Sequence, residues 1–188
     1  MKRIDLIVGA RPNFIKAFPV YRALEKTGQF SLRLINTGQH YDKNMADVFF
    51  EQLKMKKPDI NLGIGSGRHG EQTARILDKI EREFLSEKPD LVIVFGDVNS
   101  TLAAALAAAK LNISVAHVEA GLRSFDRSMP EEINRVLTDQ ISDLLFITSP
   151  EAEVNLLKEG KDKDQINFVG NTMIDSLIRF QPHFDSAH

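Results

Sequence analysis

Residues 91–97 read Leu-Val-Ile-Val-Phe-Gly-Asp, and residues 113–121 read Ile-Ser-Val-Ala-His-Val-Glu-Ala-Gly, with an Ala-rich stretch between them. Each is a short β-branched run that stops at a glycine beside an acid. Such runs fit strands buried on both faces of a parallel sheet and feeding loops at their carboxyl ends. The stretch continues through a loop to Pro130-Glu131-Glu132. Ligands of open parallel sheets lie in the crevice outside the carboxyl ends of the strands. Asp97 and Glu119 are therefore expected at one crevice, with Glu131 brought there by the loop, and three converging carboxylates suggest acid–base chemistry.

The same alternation extends in both directions. Apolar runs at Ile4–Val8, Ser31–Ile35, Leu144–Thr148 and Ile166–Val169 predict strands, and Ile60 with Leu62 predicts a short one. Helical spacing predicts helices from Arg11-Pro12 to Gly28, from about Lys43 to Leu53, from about Glu71 to Glu87 and from Glu131 to Ile141. In the last of these, Ile133, Val136, Leu137 and Ile141 form the expected buried stripe. Ser149-Pro150-Glu151 carries helix-start chemistry, and a final helix from about Thr172 is expected to fade at Pro182. Strands alternating with helices imply an α/β fold with a doubly wound, Rossmann-like parallel sheet, and no internal linker divides residues 1–188. A single domain is expected.

Composition sets limits. The 188 residues are 43% hydrophobic and 27% charged, with a net charge of -2, which gives no basic footprint for nucleic acid. The small apolar run Leu102–Ala109 is far too short to span a bilayer. Met1-Lys2-Arg3 leads into a strand-length run rather than a signal-type segment, so a cytoplasmic protein is expected. There is no Cys, and the five His are scattered, so no thiolate site or metal-ligand cluster is read.

Several motifs have two readings. Gly65-x-Gly67-x-x-Gly70 matches the dinucleotide fingerprint, but the strand before it is weak and Asp90 sits at the wrong end of the next strand. A flexible loop is the better reading, from which Arg68 and His69 could reach an anion. Arg11 opens the first helix, where unpaired N–H groups and the dipole favour anions, and Lys16 lies further along the same helix. A phosphate or pyrophosphate suits that position, and a surface ion pair is the alternative. Asp97 is either a helix cap or a crevice carboxylate, with Asn99 and Ser100 able to cap in its place. Glu119 is either a working carboxylate or the ion-pair partner of Arg123. His117 reads as a packed strand residue that donates a hydrogen bond, and Glu131 with Arg135 has ordinary i,i+4 helix spacing.

Taken in order, these residues resemble the non-hydrolysing UDP-N-acetylglucosamine 2-epimerases. The resemblance rests on Gly9-Ala10-Arg11-Pro12 with Ile15-Lys16, on Thr37-Gly38-Gln39-His40, and on Gly96-Asp97 followed by a Ser/Thr pair. It continues through His117-Val118-Glu119-Ala120-Gly121-Leu122-Arg123, Pro130-Glu131-Glu132-x-Asn134-Arg135, and Gly170-Asn171-Thr172 with Ile174-Asp175. It implies one half of a glycosyltransferase-B-like architecture, the amino-terminal half, whose carboxy-terminal UDP-binding domain is absent from the chain. It implies a UDP-sugar substrate, no cofactor, a homodimer at full length and a role in polysaccharide synthesis. UDP is eliminated to give a 2-acetamidoglucal and then added back. Arg11 and Lys16 are implied as substrate ligands, and Asp97, Glu119 and Glu131 as the acid–base carboxylates. Gln39 and His40, with the region around Arg68, match a loop that in bacterial members holds a regulatory UDP-GlcNAc. Asn13 and Tyr41 depart from residues common in the family, which leaves that regulation open. Alone, the chain is expected to fold and be inactive. Hydrolysing epimerases that release ManNAc and UDP, a non-catalytic nucleotide-sugar-binding module and a glycosyltransferase are the other readings.

Overall fold

The structure, a computed structural model, describes residues 1–39 and 56–185. The helix expected from about Lys43 to Leu53, together with His40 and Tyr41, lies outside the described residues.

Seven parallel strands form one sheet in the order β3-β2-β1-β4-β5-β6-β7. They are β1 (Lys2–Val8), β2 (Phe30–Asn36), β3 (Ile60–Asn61), β4 (Leu91–Phe95), β5 (Ser114–Ala120), β6 (Leu144–Ile147) and β7 (Ile166–Phe168). The described helices are α1 (Arg11–Thr27), α2 (His69–Ser86), α3 (Asn99–Lys110), α4 (Pro130–Ile141), α5 (Pro150–Lys158) and α6 (Thr172–Asp185). The α/β expectation and all seven strand positions hold, with ends moved by one or two residues.

Strand alternation splits the core. Ile7, Ile35, Val92, Val94 and Val115 pack on one face with Ile76, Ile80 and Phe84 of α2 and the buried alanines of α3. Leu6, Val8, Leu34, Ile93 and Phe95 pack on the other with Phe14, Phe18 and Tyr21 of α1. A charged pair lies inside the sheet. Asp5 of β1 is opposite Arg33 of β2 and accepts two hydrogen bonds from its guanidinium, at 3.0 and 2.6 Å. A buried carboxylate needs such a partner, because desolvating it unpaired would cost several kcal/mol.

Two prolines lie inside helices. Pro19 has no N–H to offer the carbonyl of Ile15, one turn back in α1. The buried hydroxyl of Ser176 in α6 donates to that carbonyl instead, at 2.7 Å, and ties the last helix to the first. α6 was expected to fade at Pro182 but runs on to Asp185. A proline removes a single donor, and a helix end tolerates that loss better than its middle does.

α4 overturns the expected stripe. Its buried residues are Glu132, Asn134, Thr138 and Asp139, while Ile133 is 41% and Leu137 47% exposed. The helix turns its polar side inward because that side satisfies the loops after β4 and β5, as the contacts below show.

Candidate active site

Strand order reverses between β1 and β4, which are neighbours in the sheet although their connections run in opposite directions. A crevice forms at such a switch point. Asn13, in the first turn of α1, spans it. Its side-chain oxygen accepts from the backbone N–H groups of Gly9 and Ala10, and its amide donates to Phe95 O at the end of β4. The departure from the family pattern at this position thus has a structural role.

Lys16 is one turn further along α1, buried, and its Nζ is 2.6 Å from Glu119 Oε1. Gly96 lies beside this pair: a Cβ there would sit 3.1 Å from Lys16 Nζ and 3.8 Å from Glu119 Oε1, and its φ is +65°. Close approach and backbone conformation together require glycine. Glu119 itself has φ +74°, at a point where the pairing of β5 with β6 shifts register between Val118 and Ala120. A left-handed conformation in a residue with a side chain costs about 1–3 kcal/mol, and such outliers cluster at functional sites.

Asp97 follows Gly96 and does not cap α3. Its carboxylate pairs with Arg135 Nη2 at 2.6 Å, and its backbone oxygen accepts from Asn134 at 2.9 Å. The side chain that caps α3 is Gln39, whose oxygen accepts from Ser100 N and Ser100 Oγ at 2.9 and 2.6 Å. Arg135 bridges Asp97 to Glu132 at 2.5 Å. It does not pair with Glu131 as the i,i+4 spacing suggested, because Glu132 lies on the inward face of α4. Glu132 also accepts the backbone N–H groups of Ser124 and Phe125, each at 3.0 Å, and so folds the loop after β5. Burial would raise the Glu132 carboxyl, but those N–H groups and Arg135 outweigh it and hold it below the usual range. Glu131 makes no hydrogen bond or ion pair among the described residues. It borders a depression of about 280 Å³ with Gln39, Ser66, His69, Asn99 and Asn134.

Arg123 is not the partner of Glu119. It is buried between Asp139, at 2.7 Å, and Glu159, at 2.6 Å. His117 is fully buried, as expected of a packed strand residue, and contacts Asp139 Oδ1 and Gly96 O.

The glycine-rich loop is pinned by hydrogen bonds. Ile64 and Gly65 donate to Thr37 O and Gly38 O, and Gln72 of α2 donates to Gly65 O. Asn99 donates to Gln72 Oε1 and approaches His69 Nδ1, linking this loop to Asn134 and the Asp97 segment. Arg68 is exposed at the position before α2. Arg11 is exposed as the first residue of α1. The sequence reading missed Asn13, Glu132, Asn134 and Asp139. Glu132 and Asn134 stood in a quoted signature and Asn13 beside one, but no role was read for them, and α4's apolar spacing argued against an inward polar side.

A family model described as UDP-N-acetylglucosamine 2-epimerase matches residues 22–188. The chain belongs to this family. A Methanococcus maripaludis protein named UDP-N-acetylglucosamine 2-epimerase is 55% identical over 179 residues, covering 95% of this chain and 48% of the relative. A Pseudomonas aeruginosa relative named UDP-2,3-diacetamido-2,3-dideoxy-D-glucuronate 2-epimerase is 52% identical over 180 residues, covering 95% of this chain and 51% of its own length. The Methanocaldococcus jannaschii UDP-GlcNAc 2-epimerase, solved with UDP-GlcNAc and UDP, superposes with TM-score 0.95 at 52% identity, covering 99% of this chain and 51% of that one. The chain thus spans about half the length of the curated relatives it matches, and its Rossmann-like sheet is one half of their glycosyltransferase-B-like fold.

Proposed function

We propose that this chain is the amino-terminal half of a UDP-GlcNAc 2-epimerase, and that its crevice is one wall of the active site. The observation that carries the reading is the Lys16–Glu119 pair beside Gly96-Asp97, with Glu119 held in a left-handed conformation at the switch point. Removing the C2 proton of a 2-acetamido sugar needs a carboxylate positioned at it, and departure of UDP from C1 needs cations and N–H groups at the diphosphate. Glu119 and Asp97 serve the first need, with Glu131 the third acid. Lys16, Arg11 and the start of α1 serve the second. Elimination gives a 2-acetamidoglucal and UDP; re-addition of UDP to C1 on the face it left, with the proton delivered to the opposite face of C2, gives UDP-ManNAc.

Gln39, His40 and Arg68 are proposed to serve a second, regulatory nucleotide sugar. The carboxy-terminal half supplies the opposite wall, so the chain alone binds weakly and does not turn over. The exposed Ile133 and Leu137 of α4 suit a homodimer of the full-length, cytoplasmic protein. No helix of the described residues is long and apolar enough to cross a membrane. The identity to the P. aeruginosa relative supports a second reading of the substrate, UDP-2,3-diacetamido-2,3-dideoxyglucuronate, with the same C2 chemistry.

The test joins the chain to its second half and supplies each UDP-sugar in D2O. Interconversion of UDP-GlcNAc and UDP-ManNAc with deuterium entering at C2 is expected. Epimerisation without deuterium uptake, or release of free ManNAc, overturns the reading.

A further inference from the structure

His117 and Asp139 are fully buried, and the proposed reaction gives neither of them a proton or a charge to handle. Their partners are nevertheless specific. His117 Nε2 lies 2.7 Å from Gly96 O, and a carbonyl only accepts, so Nε2 carries a hydrogen. His117 Nδ1 lies 2.6 Å from Asp139 Oδ1. The other oxygen, Oδ2, accepts from Gly121 N at 3.0 Å and forms an ion pair with Arg123 Nη2 at 2.7 Å. Burial would raise the Asp139 carboxyl, but His117 and Arg123 outweigh it and keep it below the usual range. Asp139 is therefore an acceptor at both oxygens, and both ring nitrogens of His117 donate.

The ties bracket the proposed carboxylates. They fall at residue 117 in β5 and at residue 121 just past its end, on either side of Glu119 and its left-handed backbone. Across to β4 they end on Gly96, the residue before Asp97, where Gly96 N also donates to Val118 O at 3.0 Å. A left-handed conformation in a residue with a side chain persists only where its surroundings over-determine it. We propose that the His117–Asp139 pair is a positioning device, which clamps the loop after β4 to the loop after β5 and so holds Asp97 and Glu119 in fixed relation. The proposal rests on the reading of Asp97 and Glu119 as working carboxylates. Misplacement of a reacting group by about 1 Å can cost 10²-fold in rate, so the clamp acts on kcat rather than on binding.

The test uses the full-length protein and substitutions that each keep one tie. In His117→Asn the amide imitates Nδ1 toward Asp139 but cannot reach Gly96 O. In His117→Gln it imitates Nε2 toward Gly96 O and loses Asp139. Expected are a fall in kcat of about 10²-fold for His117→Asn, a smaller fall for His117→Gln, and KM for the UDP-sugar within about threefold of wild type in both. If kcat per folded molecule stays within threefold for His117→Asn while Glu119→Gln is inactive, the pair is only structural and the proposal falls. If Glu119→Gln keeps wild-type activity, the underlying reading falls instead. A readout independent of turnover is the nitrogen spectrum of ¹⁵N-His-labelled protein at neutral pH, with the His117 signals identified by their loss in His117→Gln. Two protonated ring nitrogens support the clamp, and a bare nitrogen on His117 overturns it.

Discussion

Replacing Glu132 by alanine should cost more stability than its place in a run of two surface-type acids would suggest. The residue is 3% exposed, and its carboxylate accepts from two backbone N–H groups, of Ser124 and Phe125, besides bonding Arg135. A hydrogen bond to a charged group contributes about 1.5–3 kcal/mol net, and bonds that share one acceptor group are not additive. The expected loss is therefore about 3–4 kcal/mol for Glu132→Ala. Glu132→Gln keeps one oxygen and should lose about half as much. In a domain of this size that lowers Tm by about 10 °C for the alanine variant. The folded-state pKa of Glu132 is lowered, so its stabilisation is fully present above the unfolded value of about 4.3 and is lost as pH falls through the folded value. Calorimetry or chemical denaturation at several pH values should show the gap between wild type and Glu132→Gln closing below about pH 4. A gap of under 2 °C for Glu132→Ala at pH 7, or one that widens in acid, would refute the account of the loop after β5 as folded by this carboxylate.

Three further outcomes follow from other contacts. Gly121→Ala places a Cβ 2.6 Å from Ala152 O and 2.9 Å from Leu156 Cδ1 at a φ of +77°, and should destabilise by about 3 kcal/mol or more in denaturant titrations. Ser176→Ala should cost about 1–2 kcal/mol, and the cost should shrink in a Pro19→Ala background, where the restored N–H can bond Ile15 O; an unchanged cost in that double-mutant cycle would exclude the replacement. Lys16→Met should lower kcat of the full-length protein by roughly 10²-fold or more and also lower its melting temperature, because the largely buried Glu119 loses its partner, read by steady-state kinetics and thermal scans.

The strands were legible because parallel strands covered on both faces are written as short, nearly continuous apolar runs rich in Val and Ile, and Leu91–Phe95 and Ile113–Val118 are such runs. Asp97 and Glu119 were legible for a related reason: an acid at the end of an apolar run stands out. The partner of each charge was not. Arg123 sits four residues from Glu119 and was the alternative partner for it, yet the turn at Gly121 carries it into the interior toward Asp139 and Glu159. α4 misled through its own regular spacing. Ile133 and Leu137 repeat as a core stripe should, but four polar side chains on the opposite face have loop N–H groups and charges to satisfy, and that need set the orientation of the helix. Pro19 marks a third limit, since the donor that replaces its missing N–H comes from Ser176, far along the chain.

The backbone at Glu119 sets local conformation against the side chain it carries. Glu119→Gly and Glu119→Ala lose the same carboxylate and the same contact with Lys16, so their difference isolates the φ of +74°. Glycine adopts that angle freely, and the glycine variant should be the more stable by about 1 kcal/mol. Glutamate at this position thus carries a backbone cost that its ion pair with Lys16 offsets, and repeating the comparison in a Lys16→Met background separates the two contributions.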